Sequence, residues 1–176
     1  MTMSEAAVIR RRTDVAKLRE LQARIPRFLE ILGVSSDPPR SIRLRIRIPT
    51  ARNNAYPREK QEINDVEITL PESYPQQPGP YVTFTTPIFN PNIYPSGKWC
   101  SGEWKIMEYL DLFVMRLMKV IAFDPTIVNP RSPANGEAAQ WFVQTRNRHP
   151  DLFPTIPLDG LITNIEKPKI VWRTIK

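Results

Sequence analysis

The amino-acid sequence predicts an α+β fold: an N-terminal helix, an antiparallel meander sheet, and C-terminal helices packed against that sheet. Three observations carry this prediction. From Ser41 to Ile48, the aliphatic residues Ile42, Leu44, Ile46 and Ile48 alternate with Arg43, Arg45 and Arg47, the period-two pattern of a strand with one buried face. Beyond residue 109 the period changes, and Leu110, Phe113, Val114, Leu117 and Ile121 recur at helical spacing. The order along the chain is helix, strands, irregular loop, helix, helix, which segregates strands from helices.

The first element spans residues from about Ser4 to Leu32 and reads as helical, with Val15, Leu18, Leu21, Gln22 and Ile25 forming a stripe and Thr13 and Asp14 offering a capping signal part-way along. Pro26 kinks or divides it. Phe28, Leu29, Ile31 and Leu32 carry the apolar face onward to Gly33, read as a helix stop, and Asp37-Pro38-Pro39 makes a stiff exit. The strand at Ser41 to Ile48 follows. A second strand places Val66, Ile68 and Leu70 against Glu67 and Thr69, with Glu67 a candidate to oppose one of the arginines. A third runs from Tyr81 to Thr86 after the proline turn Tyr74-Pro75-Gln76-Gln77-Pro78-Gly79-Pro80. Short connections between these strands predict the antiparallel meander. The amphipathic helix covers about Tyr109 to Phe123, with Arg116 and Lys119 outward, and stops at Asp124-Pro125. A last helix starts at Asn135 as cap, carries Glu137 in its first turn, buries Ala138, Trp141 and Phe142, and ends with Arg146 and Arg148.

Length and composition fit one domain over residues 1–150, including the N-terminal helix, and a C-terminal extension at 151–176 in which Ile170-Val171-Trp172 reads as a short strand or an apolar strip. Hydrophobic residues at 41% and charged residues at 24% describe a globular chain, and 19 prolines against 6 glycines predict stiff connections. No apolar run approaches the roughly 20 residues needed to span a bilayer, and Met1 to Glu5 lacks a basic segment leading into an apolar core. A cytoplasmic location with a reduced thiol is therefore expected.

The net charge of +7 gathers in three places: Arg10 to Arg12, the arginine row Arg43, Arg45 and Arg47, and Lys167, Lys169, Arg173 and Lys176. Aromatic residues do not interleave these clusters as a base-stacking platform requires, so nucleic acid is an unfavoured partner and a solvated basic face is expected. The chain has no phosphate-cradling glycine loop and no cluster of metal ligands, so no cofactor is expected.

Cys100 is the only cysteine, which removes internal disulfides and thiolate metal sites from consideration. Two readings remain: a small buried residue, or a nucleophile held in a loop of turn-forming residues, Asn90-Pro91-Asn92-Ile93-Tyr94-Pro95-Ser96-Gly97-Lys98-Trp99. The single histidine, His149, falls at a helix end, where it is poorly suited to a cysteine-histidine protease pair.

Tyr74-Pro75, Pro78, Val82-Thr83-Phe84-Thr85-Thr86, then Ile88-Phe89-Asn90-Pro91-Asn92 with Ser96-Gly97 and Cys100, together resemble the core of the ubiquitin-conjugating enzyme family. The resemblance runs from about Ser41 to Thr145 and implies that family's fold; a divergent member is indicated, and bacterial ubiquitin-like pathways are one setting that suits it. It further implies that Cys100 carries the carboxyl terminus of ubiquitin or a ubiquitin-like protein as a thioester, received from an activating enzyme and passed to an amine, with or without a ligase. Asn92 would support the loop and stabilise the oxyanion, while Asn90 and Pro91 would support the loop. Asp124, Asn129 and Ser132 are the candidates to line the acceptor's approach, where the family places an acid; as residues they read equally well as turn formers.

Three departures stand out. Asn90 replaces the family's histidine, Gly79 adds a residue to the proline turn, and Ser101-Gly102-Glu103-Trp104 replaces the usual aliphatic rim after the cysteine. An inactive relative that only binds a ubiquitin-like protein is the alternative, disfavoured by the retained cysteine. The resemblance also implies two recognition surfaces: Arg10 to Arg12 for the activating enzyme, and the arginine face for a second, non-covalently bound modifier.

Overall fold

The computed structural model describes residues 3–158 and residue 160. The basic cluster Lys167, Lys169, Arg173 and Lys176 and the segment Ile170-Val171-Trp172 lie outside the described residues.

Helix α1 spans Glu5–Arg24, capped by Ser4, whose hydroxyl accepts from the Ala7 amide. It stops before Pro26 rather than bending through it. The stretch expected to prolong the helix is instead strand β1, Leu29–Ser35. Two facts explain the correction. Pro26 has no N–H to continue the ladder, and Leu29 and Ile31 gain antiparallel partners in Ile46 and Leu44 of strand β2, Ser41–Ile46. An apolar run this short fits either period, and tertiary pairing decides it. Gly33 is not a helix stop: the register shifts between Ile31 and Gly33, and the Arg43 guanidinium lies over the position, 3.1 Å from where a Cβ would stand.

A short pair, β3 at Thr50–Ala51 and β4 at Lys60–Gln61, forms a separate ribbon. Strands β5, Asn64–Thr69, and β6, Tyr81–Phe84, complete a four-stranded antiparallel sheet ordered β1-β2-β5-β6. One strand more than the sequence suggested thus joins the meander. Its inner face presents Ile42, Leu44, Ile46, Val66 and Ile68 to α1 and to helix α2, Leu110–Ile121. The outer face carries the arginines as cross-strand pairs: Arg43 opposes Glu67, and Arg45 opposes Asp65 with two hydrogen bonds of 2.8 and 2.9 Å. Arg47 pairs with Glu30 of β1.

Helix α3, Gly136–Arg148, is capped by Asn135 as expected. It closes a second, aromatic core of Tyr56, Phe123, Phe142 and Phe153. The residues after α3 pack onto the domain: Phe153 stacks on Tyr56 at 6.0 Å, and the Thr155 amide donates to the Ala122 carbonyl at 2.8 Å.

The basic cluster at 10–12 is not a solvated face. Arg11 is fully buried and donates to the carbonyls of Pro39, Leu70 and Pro71. Arg10 bonds the Ile106 and Glu108 carbonyls and pairs with Asp14 at 2.9 Å; only Arg12 stands in solvent, paired with Asp37. Asp14, in turn, caps no helix within α1. Buried completely, it accepts from Arg10, from the Tyr74 hydroxyl at 2.5 Å and from the Leu110 amide at 2.9 Å, joining α1, the proline turn and the start of α2. Burial, reinforced by the Asp14 charge, pushes the Tyr74 phenol far above its ordinary pKa, so it remains a donor.

Candidate active site

The segment from Thr85 to Cys100 leaves the sheet at the end of β6 and is fastened at Asn90, Pro91, Asn92 and Gly97. Asn90 is fully buried; its amide donates to the Val120 carbonyl at 2.8 Å, and its Oδ1 accepts the Asn92 backbone amide at 2.9 Å. An asparagine thus ties this loop to α2 with its donor and braces the turn within the loop with its acceptor. The Pro91 carbonyl receives the amides of Ala134 and Asn135, which ties the loop to the start of α3. Gly97 has φ +86°, and a Cβ there would lie 2.7 Å from the Phe84 carbonyl, so the turn needs glycine both for its backbone and for the close approach to β6.

Asn92 connects two sides of the site. Its backbone carbonyl accepts the Cys100 amide at 2.9 Å, fixing the backbone of the thiol-bearing residue. Its side chain reaches the other way: Oδ1 accepts the Asn129 amide at 3.0 Å, and Nδ2 approaches the Asn129 carbonyl at 3.5 Å. Cys100 itself is exposed, with a free thiol. Of the two readings open at the sequence level, burial is overturned.

Cys100 opens onto a cleft of about 240 Å³ lined also by Asn92, Trp99, Arg116, Asn129 and Ser132, with Val120 and Ile127 as apolar wall. Asn129 and Ser132 are thereby brought beside the thiol. Asp124 is not. It is 8% exposed, and its Oδ1 accepts from the Thr126 amide at 2.9 Å and hydroxyl at 2.7 Å, closing the turn after α2. His149 terminates α3, where its amide donates to the Thr145 carbonyl.

The rim after the thiol is short. Only three residues separate Cys100 from Trp104, which is 5% exposed and plugs into the core: its Nε1 donates to the Pro75 carbonyl at 2.7 Å, and its ring lies 5.6 Å from Tyr74 and 5.5 Å from Phe113. Gly79, the extra residue of the proline turn, has φ +82°, and a Cβ there would fall 2.3 Å from Trp104 Cγ. The two departures therefore belong together: the added glycine makes room for the early tryptophan.

Sequence reasoning assigned Arg116 only to an outward helix face. In the structure its guanidinium reaches both ends of the segment following the thiol, donating to the Ser101 carbonyl and pairing with Glu108 at 2.8 and 3.0 Å. The available signal was Glu108 itself, a carboxylate placed just before a helix that carries one arginine.

The fold, helices packed on a four-stranded antiparallel sheet, has counterparts among known proteins. The chain is similar to the solved structure "S. cerevisiae Ubc12", with a TM-score of 0.60 over 82% of this chain and 74% of that one; at 21% identity the likeness speaks for the fold. It is 35% identical over 79 residues to "Ubiquitin-conjugating enzyme E2 2" of Mycosarcoma maydis, covering 43% of this chain and 40% of the relative. It is also 35% identical over 82 residues to "Ubiquitin-conjugating enzyme E2 3" of Arabidopsis thaliana, covering 44% and 51%. The chain spans about half the length of the curated relatives it matches. The family model described as ubiquitin-conjugating enzyme matches residues 20–153, from the last turn of α1 through α3 and beyond, and the chain accordingly belongs to the ubiquitin-conjugating enzyme family.

Proposed function

We propose that this chain carries the carboxyl terminus of ubiquitin or a ubiquitin-like protein as a thioester on Cys100 and passes it to an amine. The observation that supports this most directly is the exposed thiol at the mouth of the Asn92–Asn129 cleft, its backbone amide fixed by the Asn92 carbonyl. In charging, the Cys100 thiolate attacks the thioester joining the modifier to an activating enzyme; a new carbon–sulfur bond forms and the enzyme's thiolate leaves. In discharge, an amine attacks the carbonyl carbon, the tetrahedral oxyanion collapses, Cys100 leaves as thiolate, and the amine's surplus proton passes to solvent or a partner. Sulfur suits both steps because thiolate is at once a strong nucleophile and a good leaving group.

Asn92 takes the role of loop support through its two contacts with the Asn129 backbone, and the second N–H of its amide is the donor available to the oxyanion. Asn129 and Ser132 flank the acceptor's path in this reading. An activating enzyme and a ubiquitin-like modifier are the required partners, with a ligase as a further one.

The test is incubation of the chain with an activating enzyme, ATP and ubiquitin or a ubiquitin-like protein. A thiol-sensitive adduct on wild type that is lost in Cys100→Ala is the expected result. No adduct with any such pair, or one that persists in Cys100→Ala, would overturn the reading.

A further inference from the structure

The segment that follows the thiol has few neighbours of its own. Ser101 is half-buried, Gly102 and Glu103 are exposed, and Gly102 sits at φ +72° with open space where a Cβ would be. Four residues separate buried Trp99 from buried Trp104; the first, Cys100, is fixed by its amide, and each of the three after it costs about 1–2 kcal/mol of entropy to hold in one conformation. Something outside the segment has to hold the peptide that follows Cys100.

Arg116 meets that need from four directions. Its Nη1 donates to the carbonyl of Ser101, the residue after the thiol. Its Nε and Nη2 fork onto the Glu108 carboxylate at 3.0 and 2.8 Å, at the far end of the returning chain. Its guanidinium carbon lies 5.2 Å from the ring of Trp99, the residue before the thiol, and 5.2 Å from Phe113 on its own helix. The side chain also lines the cleft onto which Cys100 opens. Glu108 is itself anchored, because its backbone carbonyl receives the Arg10 guanidinium from α1. The fork therefore rests on two helices.

The geometry points to Arg116 as the positioning residue for Cys100: by gripping Trp99 and Ser101 on either side of it, Arg116 holds the thiol in the orientation that transfer requires. The inference rests on the reading of Cys100 as the acyl carrier. A displacement of 1 Å from reactive geometry costs on the order of a hundredfold in rate, so the grip acts on the rate of transfer more than on acceptor binding.

The test compares Arg116→Met, Arg116→Lys and Glu108→Gln in the full chain. Methionine keeps the apolar packing on Trp99 and Phe113 but loses all three hydrogen bonds. In single-turnover discharge of the charged chain to free lysine, Arg116→Met is expected to lower the maximal rate by about tenfold or more, leaving the half-saturating lysine concentration unchanged. Arg116→Lys, whose ammonium reaches Ser101 without forking onto Glu108, is expected to fall between. Glu108→Gln keeps the Ser101 contact but weakens the fork, and is likewise expected to fall between wild type and Arg116→Met. An independent arm needs no charging: the amide order parameter of Ser101 should be near 0.85 in wild type and below about 0.6 in Arg116→Met. A maximal rate in Arg116→Met within twofold of wild type, a change in half-saturation alone, or equal order parameters would overturn the assignment. Failure of wild type to charge would count against the thioester reading, and the order parameters would then decide the positioning of the loop.

Discussion

Replacing Asp14 with alanine tests whether a buried carboxylate joins three parts of the fold. The side chain is fully buried and receives three donors: Arg10 Nε at 2.9 Å, the Tyr74 hydroxyl at 2.5 Å and the Leu110 amide at 2.9 Å. Removing one member of a buried pair typically costs about 3–5 kcal/mol, because the partner remains buried and uncompensated. Here Arg10 keeps its bonds to the Ile106 and Glu108 carbonyls, which softens that part of the loss. Tyr74 keeps the Arg10 guanidinium beside its hydroxyl oxygen but loses the acceptor of its O–H. It is 0% exposed, so its orphaned hydroxyl alone costs about 1–3 kcal/mol. Non-additivity within one network brings the expected total for Asp14→Ala to about 3–4 kcal/mol, or a fall in Tm of about 6–16 °C for a chain of this size. Thermal and urea denaturation followed by circular dichroism would measure it. A companion variant, Tyr74→Phe, leaves Asp14 with two of its three donors and should cost about 1–2 kcal/mol, with a coupling of at least about 1 kcal/mol in the double mutant. An Asp14→Ala variant within about 1 kcal/mol of wild type, or strictly additive behaviour with Tyr74→Phe, would refute the network.

Three further outcomes are expected. Gly79→Ala forces a Cβ at φ +82° to within 2.3 Å of Trp104 Cγ, so it should destabilise by at least about 2 kcal/mol and shift tryptophan fluorescence to the red; an unchanged midpoint would contradict the packing of Trp104. The two hydrogen bonds from Arg45 hold the Asp65 carboxyl below its ordinary pKa, so its stabilisation is present above the unfolded value and is lost as pH falls through the folded one. Asp65→Asn should accordingly cost no more than about 1 kcal/mol at neutral pH, the pair being partly exposed, with the difference from wild type shrinking below about pH 4 in denaturant titrations. Asn129→Asp places a carboxylate beside the Cys100 cleft and should raise discharge to free lysine by about tenfold or more at neutral pH, leaving charging unaltered; equal discharge rates would show that the position does not handle the acceptor's proton.

Much of this molecule was legible from local pattern. The Ser41 strand, the helix from Leu110 and the Asn135 cap each follow from a period or a cap that one stretch of sequence contains in full. The elements misread are those whose conformation is decided elsewhere. Leu29 to Ser35 is a strand because β2 lies beside it, and its own residues fit a helix as well. Arg10 and Arg11 look like surface charge, yet carbonyls from the segments around Pro39, Leu70 and Ile106, far along the chain, draw them inward. At the candidate site, Cys100 and Asn92 stand out because one is unique and both sit in a dense run of turn residues. Arg116 does not, because a lone arginine on an amphipathic helix has the pattern of an ordinary solvated face, and only the path of the chain after Cys100 brings Ser101 and Glu108 to it.

The loop that bears the thiol also serves the sheet. Strand β6 is only four residues long and forms one border of the sheet, where unpaired backbone groups invite association with another chain. Here the returning loop occupies that border: the Phe84 amide donates to the Gly97 carbonyl at 2.9 Å, the Trp99 amide donates to the Val82 carbonyl at 3.0 Å, and Thr83 bridges Lys98. The proposed chemistry and the cover of the β6 edge are thereby placed on the same stretch of chain. A change that loosens this loop also uncovers a strand edge, so variation in this stretch is held in check by aggregation as well as by any loss of the proposed transfer. New specificity is more safely acquired on the facing wall of the cleft, around Asn129 and Ser132, whose backbone protects no strand.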